Sequence, residues 1–507
     1  MEFPRTGIRD STVDAGAESN RGVAASDRFG WCAMALLLLV AMLLRLYRIG
    51  DDSLWYDEIL SYQRATAGFG DAYDLIREGT HPPGYSQIVL RPWLMLGDSE
   101  FMQRLPSAVL GTATVGLTYV LGRRVAGRLA GLAAASLLTV MPLHLYYSRE
   151  GRMYALLALL ITGWLLALSS ADQRNTVRSW GLYSLLGAAA LYTHYYAVLT
   201  IVATVVISAR IYLAKEADAE RRRRWMIATV GIGVGFVPWL PTFWYQLGND
   251  PVSHLQTRAL GEIALVPIQF FTAYAGTSPI EIVVVATAAV VVIRQGLINM
   301  FETDRPTSQI DLTKATIGAA LVGTFLLAIV AEVVRPLISV RYFVGILPLV
   351  CIVAATGWVS TRRRAGIVAA SLVLVATSFV HAVPTVLDAW RPEFEAATDR
   401  IETDAVSDTT IVLIGRDDAR LHAAGFDHYF DPLPGAKIVD LDLADDGLRE
   451  ALTRIDMATS VVWVVQYADI GPIDVPSGFT AAATERFDSR FFSGRYVIAL
   501  TRLELVP

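Results

Sequence analysis

Apolar runs that recur along the 507-residue chain are the feature that most limits its fold. A helical run of about 20 apolar residues crosses the roughly 30 Å hydrocarbon core of a membrane. The chain is 54% hydrophobic, with a mean hydropathy of +0.44, which is too apolar for an ordinary soluble protein. We therefore predict a polytopic α-helical membrane protein with eleven spans. The spans are 29–47, 102–121, 127–147, 153–170, 179–194, 196–213, 225–244, 280–298, 314–334, 342–360 and 365–384.

Arginine in the connecting loops predicts the orientation, because cytoplasmic loops of membrane proteins are enriched in basic residues. Alternate loops are basic, so we place them in the cytoplasm with a disordered N-terminal tail, residues 1–28. The long 50–101 loop and the C-terminal region 385–507 are then outside the cell. The residues that carry this prediction are Arg123, Arg124, Arg128, Arg174, Arg178, Arg221 to Arg224, Arg294, Arg305, Lys314 and Arg362 to Arg364.

The C-terminal region differs in pattern and charge. Strand-like and helical runs alternate there, which predicts a small α/β domain with a mixed sheet. The strand-like runs are 410–414, 460–466 and 496–501, and the helical ones surround 393–403 and 446–455. From 381 to 507 there are 22 acidic and 11 basic residues. An acidic, lysine-poor surface suits high salt and a halophilic archaeon, although a GC-rich genome would also replace lysine by arginine.

The positions of the two cysteines and of the first apolar run argue against a disulfide-rich protein, a cysteine metal site and a cleaved signal peptide. Cys32 and Cys351 both lie in apolar runs, so we expect no disulfide framework and no cysteine metal site. The first apolar run begins late and is long, which is unlike a cleaved signal peptide.

Asp57 and Glu58 are adjacent carboxylates just after the first predicted span. Aromatic residues precede them in Ser53-Leu54-Trp55-Tyr56, at the expected depth of the lipid headgroups. A carboxylate there can act as a general base towards an acceptor hydroxyl. We predict that Asp57 is this base and that Glu58 assists in orientation or acceptor binding. The alternative is a solvated pair of loop carboxylates.

His81-Pro82-Pro83-Gly84-Tyr85 has a stiff backbone, because the prolines fix φ and the glycine permits a sharp turn. We predict that it holds His81 and Tyr85 against a sugar or a phosphate. The alternative is a simple turn of the loop, in which His81 has an ordinary structural hydrogen bond.

Arg149, Glu150, Arg152 and Tyr154 lie between the third and fourth predicted spans. A guanidinium group can bind phosphate through two hydrogen bonds. Positive charge outside the cell runs against the usual orientation, so we predict a phosphate-binding or internal ion-pair role. The alternative is that these arginines extend to the lipid headgroups.

Further candidates lie at the outer ends of other spans. They are Arg104, His194, Tyr195, Arg341 and Tyr342, with His254 as a weaker one. Arg341 is the predicted second phosphate ligand. An interfacial aromatic belt would explain the tyrosines equally well.

As a set, these motifs resemble the membrane-embedded GT-C glycosyltransferases, and within them the protein O-mannosyltransferase and aminoarabinose-transferase superfamily. The matching pieces are Asp57-Glu58, His81-Pro82-Pro83-Gly84-Tyr85, Arg104-Leu105-Pro106-Ser107, Glu150-Gly151-Arg152-Met153-Tyr154, and Arg341-Tyr342 with Pro348. The resemblance implies an outward-facing site, a polyprenyl-phosphate sugar donor, inversion at the anomeric carbon and Asp57 as base.

Two family features are missing, which narrows the expected reaction. The 245–279 loop is too short for the β-trefoil of protein O-mannosyltransferases, and the tail lacks the Trp-Trp-Asp signature of oligosaccharyltransferases. We therefore expect transfer of a single sugar. With the halophile interpretation, the chain is similar to archaeal dolichyl-phosphate-mannose mannosyltransferases that complete surface-protein N-glycans. The implied partners are this donor, a glycan, glycoprotein or lipid-linked acceptor and membrane lipids, with no nucleic acid.

Other interpretations stay open. A transferase for another sugar or for lipid acceptors would need the same residues. A lipid-linked sugar flippase or a glycan-binding scaffold would be a non-enzymatic alternative. Transporters bind substrate near the midplane between related halves, whereas the ionisable residues here cluster at one face. No cofactor is required with certainty, and a divalent metal is possible although no ligand spacing indicates one.

Overall fold

The computed structural model describes most of the chain. The described residues are 30–214, 218–249, 259–273, 277–301, 311–359, 365–388, 394–404, 409–415, 428–430, 437–442, 461–467, 479–491 and 494–505. The predicted tail 1–28, His254 and the predicted helix around 446–455 lie outside these residues.

Helices form most of the described chain. They are α1 Gly30–Leu46, α2 Tyr56–Thr66, α3 Phe69–Arg77, α4 Arg91–Leu94, α5 Glu100–Val140, α6 Pro142–Tyr147, α7 Tyr154–Arg174, α8 Val177–Thr193, α9 Ala197–Tyr212, α10 Ala219–Phe236, α11 Leu240–Gly248, α12 Leu260–Thr272, α13 Pro279–Phe301, α14 Leu312–Val334, α15 Leu347–Val359, α16 Ala365–Leu387 and α17 Phe394–Asp404. A π-helical segment covers Gly84–Leu90, and 3₁₀ turns cover Val237–Trp239 and Val340–Ile346.

The long helices confirm a polytopic membrane fold. Among the described helices, seven are long and apolar enough to cross a membrane. Each of the eleven predicted spans overlaps a described helix, while the number of crossings stays a prediction. The bundle is held by contacts of α5 with α7 and α15, of α8 with α7 and α10, of α9 with α14, and of α13 with α15 and α16.

Helix α5 is two antiparallel arms rather than one rod. Its backbone leaves helical geometry at Ala126 and at Gly127, where φ is +84°. A Cβ atom placed on Gly122 would lie 3.1 Å from the Cα of Gly131, and these residues would be about 13 Å apart in a straight helix. The chain therefore reverses at Gly127, between the predicted spans 102–121 and 127–147.

The 50–101 loop contains short helices. Helix α3 turns Ile76 inward and leaves Phe69 and Tyr73 exposed. The guanidinium of Arg91 lies 4.2 Å from the ring centroid of Phe69. A polar helix with an exposed aromatic edge is suited to the membrane–water interface.

The C-terminal strands form one mixed sheet. Its strands are β1 Thr409–Gly415, β2 Lys437–Asp442, β3 Val461–Tyr467, β4 Phe479–Phe491 and β5 Gly494–Leu505, in the order β2-β1-β3-β5-β4. Strand β1 pairs in parallel with β2 and β3, whereas β5 pairs antiparallel with β3 and β4. Helix α17 packs on the sheet through Phe394, Ala397 and Ile401. The predicted strands match β1, β3 and β5, and the predicted helix at 393–403 matches α17.

The 47–100 connection, the 148–153 turn and the 335–341 segment contact one another, and we call this end of the bundle the site end. The C-terminal region also packs here, where the backbone N–H of Glu395 donates to the Ser53 hydroxyl at 3.0 Å. At the opposite end, Arg124 donates to the Ser169 and Ser170 hydroxyls. The chemical motifs thus share one end, and its direction in the membrane stays a prediction.

Candidate active site

Helix α2 carries the two carboxylates in its first turn. Negative charge is stabilised there by the helix dipole, and Glu58 accepts a hydrogen bond from the backbone N–H of Trp55 at 3.4 Å. Neighbouring residues of a helix point about 100° apart. Asp57 and Glu58 consequently face different surroundings.

Glu58 is fully buried against Arg104. The carboxylate accepts from Arg104 Nε at 2.9 Å and Nη2 at 2.8 Å, and from the backbone N–H of Gly151 at 2.7 Å. The remaining Arg104 donors reach the carbonyl oxygens of Ile49, Asp52 and Ser53. An arginine has five N–H donors, and all five of Arg104 are used. This pair therefore fixes the first loop and is not open to a ligand.

Asp57 faces two other arginines. Its Oδ2 accepts from Arg341 Nη1 at 2.9 Å and lies 3.6 Å from Arg152 Nη2. Arg152 Nη1 also donates to the Asp57 carbonyl and to the Ser61 hydroxyl, both at 2.9 Å. The side chains of Asp57 and Arg341 are each 16% exposed, so the pair is partly open to solvent, and we call this part of the site the opening. Two guanidinium groups at this distance favour the ionised carboxylate.

Aromatic rings form a wall beside this pair. The His194 ring lies 5.1 Å from His81, 5.8 Å from Tyr154 and 5.0 Å from Tyr342, measured between centroids. The Tyr342 ring also contacts Tyr196 at 5.2 Å. The structure thus brings together His81, Tyr154, His194 and Tyr342, four of the predicted site residues, with Tyr196 added, while their binding roles stay a prediction.

His194 is positioned as a neutral donor. Its Nδ1 accepts from the backbone N–H of Tyr196 at 3.1 Å, so the neutral ring carries its proton on Nε2. Burial, then Arg152 and Arg341, lowers the pKa of His194 to about 3. Burial and Arg152 likewise hold the pKa of His81 well below its ordinary value. Both rings are uncharged at neutral pH.

Several buried polar atoms around the wall have no partner among the described residues. They are Arg64 Nε, Arg152 Nε, Arg341 Nε, His194 Nε2 and the hydroxyls of Tyr154 and Tyr196. Leaving a buried donor unpaired costs about 1–3 kcal/mol. These N–H and O–H groups are available as hydrogen-bond donors to an oxygen-rich ligand.

The other predicted site residues lie in supporting positions. Arg149 Nη1 donates to the carbonyls of Leu44 at 2.9 Å and Tyr47 at 2.7 Å, and so caps α1. The Tyr85 hydroxyl contacts Ser107 Oγ at 2.9 Å, which in turn donates to the Arg152 carbonyl. Burial raises the pKa of Tyr85.

Tyr195 lies apart from the Asp57 cluster, whereas Glu150 lies close enough to Arg152 for their charges to interact. The Tyr195 hydroxyl donates to Gln246 and accepts from Trp239 Nε1 at 2.9 Å, which joins it to α11 and not to the Asp57 cluster. Glu150 Oε1 accepts from Trp55 Nε1 at 3.0 Å. Among the described residues, no three His, Cys, Asp or Glu side chains are grouped to hold a metal.

Sequence analysis missed the stripe Asp57, Ser61 and Arg64. These residues stand at positions i, i+4 and i+7 of α2 and therefore share one helix face. This spacing could have been read from the sequence. A polar stripe on the helix that carries the predicted general base indicates a candidate binding face.

Comparisons with known proteins give a partial family match and a shared fold. Residues 80–245 match the family model described as dolichyl-phosphate-mannose-protein mannosyltransferase. The fold is similar to ArnT from Cupriavidus metallidurans bound to undecaprenyl phosphate, with TM-score 0.56 and 13% identity over 93% of this chain and 98% of that one. No protein of curated function matches the sequence.

A second similar structure is the oligosaccharyltransferase of Archaeoglobus fulgidus with zinc and sulfate. Its TM-score is 0.53, with 10% identity over 86% of this chain and 68% of that one. The same enzyme, AglB, with an inhibitory peptide and a dolichol-phosphate gives TM-score 0.52 and 9% identity over 88% and 70%. The chain therefore shares the GT-C fold of these structures, and the family match covers residues 80–245 of it.

Proposed function

We propose that the protein transfers one sugar from a polyprenyl-phosphate carrier to an acceptor hydroxyl, with Asp57 as the general base. The observation that carries the proposal is the Asp57 carboxylate, held between Arg152 and Arg341 beside a wall of aromatic rings. A base and two cations at one opening are what displacement of a phosphate from a sugar requires.

In the proposed step, the acceptor oxygen forms a bond to the anomeric carbon while the bond from that carbon to the phosphate oxygen breaks. The acceptor proton passes to Asp57, and the bonding electron pair leaves with the polyprenyl phosphate. Asp57 loses its charge as the phosphate gains one. Arg152 and Arg341 can therefore turn from the carboxylate to the leaving group, where charge develops in the transition state. A single displacement inverts the anomeric centre.

The finer part of the proposal concerns the substrates. Dolichyl phosphate as carrier and mannose as sugar are supported by the description of the matching family model. Binding of undecaprenyl phosphate and of dolichol-phosphate by the similar structures supports a lipid-linked donor. With the arginine-rich loops inside, the site end faces outwards, and a surface glycan in N-glycan completion is the proposed acceptor. An archaeal source would suit this acceptor.

The test is transfer of labelled mannose from dolichyl phosphomannose by the purified protein. We expect Asp57→Asn to reduce the rate by about 10²–10⁴-fold, the usual contribution of a general base, and not to weaken donor binding. Asp71→Asn, an exposed carboxylate on α3, is the control and should keep full activity. Full activity of Asp57→Asn would remove Asp57 as base. Transfer of another sugar, with none of mannose, would correct the donor and keep the reaction class.

A further inference from the structure

Arg64 is a buried cation that the proposed step does not use. Arg64 is 9% exposed, and the buried Nε of its guanidinium has no hydrogen-bond partner among the described residues. Burial, and then the charge of Arg152, lowers the pKa of Arg64 to about 10. The group is still a cation at neutral pH. A buried cation without an acceptor is costly unless a ligand supplies one.

The position of Arg64 directs it towards the site. It lies on the α2 face of Asp57 and Ser61, and the Ser61 hydroxyl accepts from Arg152 Nη1 at 2.9 Å. A Cβ atom at Gly79 would overlap Arg64 Nη2, so the guanidinium lies against the backbone just before Thr80 and His81. Arg64 thus borders the opening on the side of His81.

The charges around the opening leave a surplus of positive charge. Arg64, Arg152 and Arg341 face the carboxylates of Asp57 and Glu150, while His81 and His194 are neutral because their pKa values are lowered. The Glu58–Arg104 pair cancels itself. The net charge is therefore +1, and it becomes +2 when Asp57 takes the acceptor proton. A sugar phosphodiester carries −1, and the departing phosphomonoester approaches −2.

We propose that Arg64 binds the phosphate of the polyprenyl-phosphate substrate, as a third guanidinium that is available before Asp57 is protonated. The inference rests on the proposed function. Arg152 and Arg341 are paired with Asp57, whereas Arg64 can donate to a phosphate oxygen without first leaving another partner. Arg64 would hold the donor first and keep the product phosphate afterwards.

The experiment measures binding of dolichyl phosphate, which carries no sugar and cannot react, to the full-length protein in lipid nanodiscs. We expect Arg64→Gln to weaken binding at least about tenfold, since hydrogen bonds between charged groups are the strong ones. Arg64→Lys keeps the charge and should recover most of the affinity. Gly79→Ala should weaken binding by displacing the guanidinium. Arg77→Gln is the control, because Arg77 lies over the Tyr245 ring at 3.8 Å and away from the site.

Phosphatidic acid, added as competitor, separates recognition of the carrier from binding of any lipid phosphate. Displacement of dolichyl phosphate only by a large excess supports the inference. Equal competition would assign Arg64 to general headgroup binding and overturn it. If the wild type binds dolichyl phosphate and Arg64→Gln binds it equally well, the inference alone fails. If the wild type does not bind it, the proposed function fails as well.

Discussion

The hydroxyl of Tyr429 accepts a hydrogen bond from the backbone N–H of Leu54 at 2.6 Å, three positions before Asp57. The same hydroxyl donates to Glu100 Oε1 at 3.0 Å, at the start of α5. The ring of His428 packs edge-on against Tyr62 in α2, with centroids 5.1 Å apart. The C-terminal region therefore holds the segment from which Asp57, the proposed general base, projects.

We expect Tyr429→Phe to lower the turnover number of sugar transfer roughly tenfold, because small misplacement of a catalytic group is enough to slow a reaction. Leu54 is 1% exposed, so its N–H would be left without an acceptor at a cost of about 1–3 kcal/mol. Steady-state kinetics would measure the change. Tyr73→Phe is the control, since its hydroxyl bonds only Thr242 at 3.2 Å among the described residues. Equal turnover of both variants would contradict the positioning role.

Substitution of the neighbouring carboxylates should have different effects. Glu58→Gln leaves the buried Arg104 without its counter-charge, and breaking a buried ion pair costs about 3–5 kcal/mol. We expect this variant to lose thermal stability in detergent. Asp57→Asn should lose less, because Asp57 is 16% exposed. Melting temperatures of the two variants provide the comparison, and an unchanged value for Glu58→Gln would show that the pair is dispensable.

The buried histidine predicts acid sensitivity. An unfolded His has a pKa near 6.5, while burial holds that of folded His194 at about 3. The folded state then binds fewer protons than the unfolded state between these values. The contribution of His194 to the free energy of unfolding is therefore complete above pH 6.5. It falls as the pH is lowered towards 3, by up to about 1.4 kcal/mol per pH unit.

Thermal melting at pH 7.5 and 5.0 measures this dependence. His194→Asn removes the titrating group and keeps an acceptor for the Tyr196 N–H, so its melting temperature should fall less between the two values. A fall as large as that of the wild type would assign the acid sensitivity to other groups. His81 would be the next to replace, as its pKa is shifted in the same direction.

The reversal within α5 depends on close backbone contact. A Cβ atom at Gly131 would lie 2.6 Å from the Tyr119 carbonyl oxygen, and overpacking costs about 1–3 kcal/mol. Gly131→Ala should therefore lower the melting temperature. At Gly181 in α8 a Cβ atom meets nothing within 4 Å, and Gly181→Ala should be neutral or stabilising by helix propensity. The same loss in both variants would refute the contact.

Local patterns predicted most of the fold. Apolar runs are set by the hydrocarbon thickness and so could be found one by one, including those on either side of the Gly127 reversal. Strands β1, β3 and β5 were predicted, whereas β2 and β4 were missed. Both missed strands are edges of the sheet, and edge strands carry polar residues that weaken the apolar signal.

The assignment of roles among the arginines depends on long-range contacts. Arg104, Arg149, Arg152 and Arg341 all stand near helix ends at the same depth, where phosphate binding and carbonyl capping require the same residue type. Only the folded chain distinguishes Arg149, which caps α1, from Arg341, which reaches Asp57 across 284 positions of sequence. The stripe that ends at Arg64 was visible in the sequence, since it needs only the helical period.

The Asp57 carboxylate pairs with Arg152 and Arg341, which are the two cations that the proposed reaction needs for its leaving group. Asp57 pairs with Arg152 and Arg341 in the way that a phosphate group would. A lipid phosphate that binds these two arginines therefore has to displace the Asp57 carboxylate, so that one anion replaces another. Donor affinity would accordingly depend on how readily Asp57 gives up its partners, and removing its charge should tighten the hold on the spent carrier.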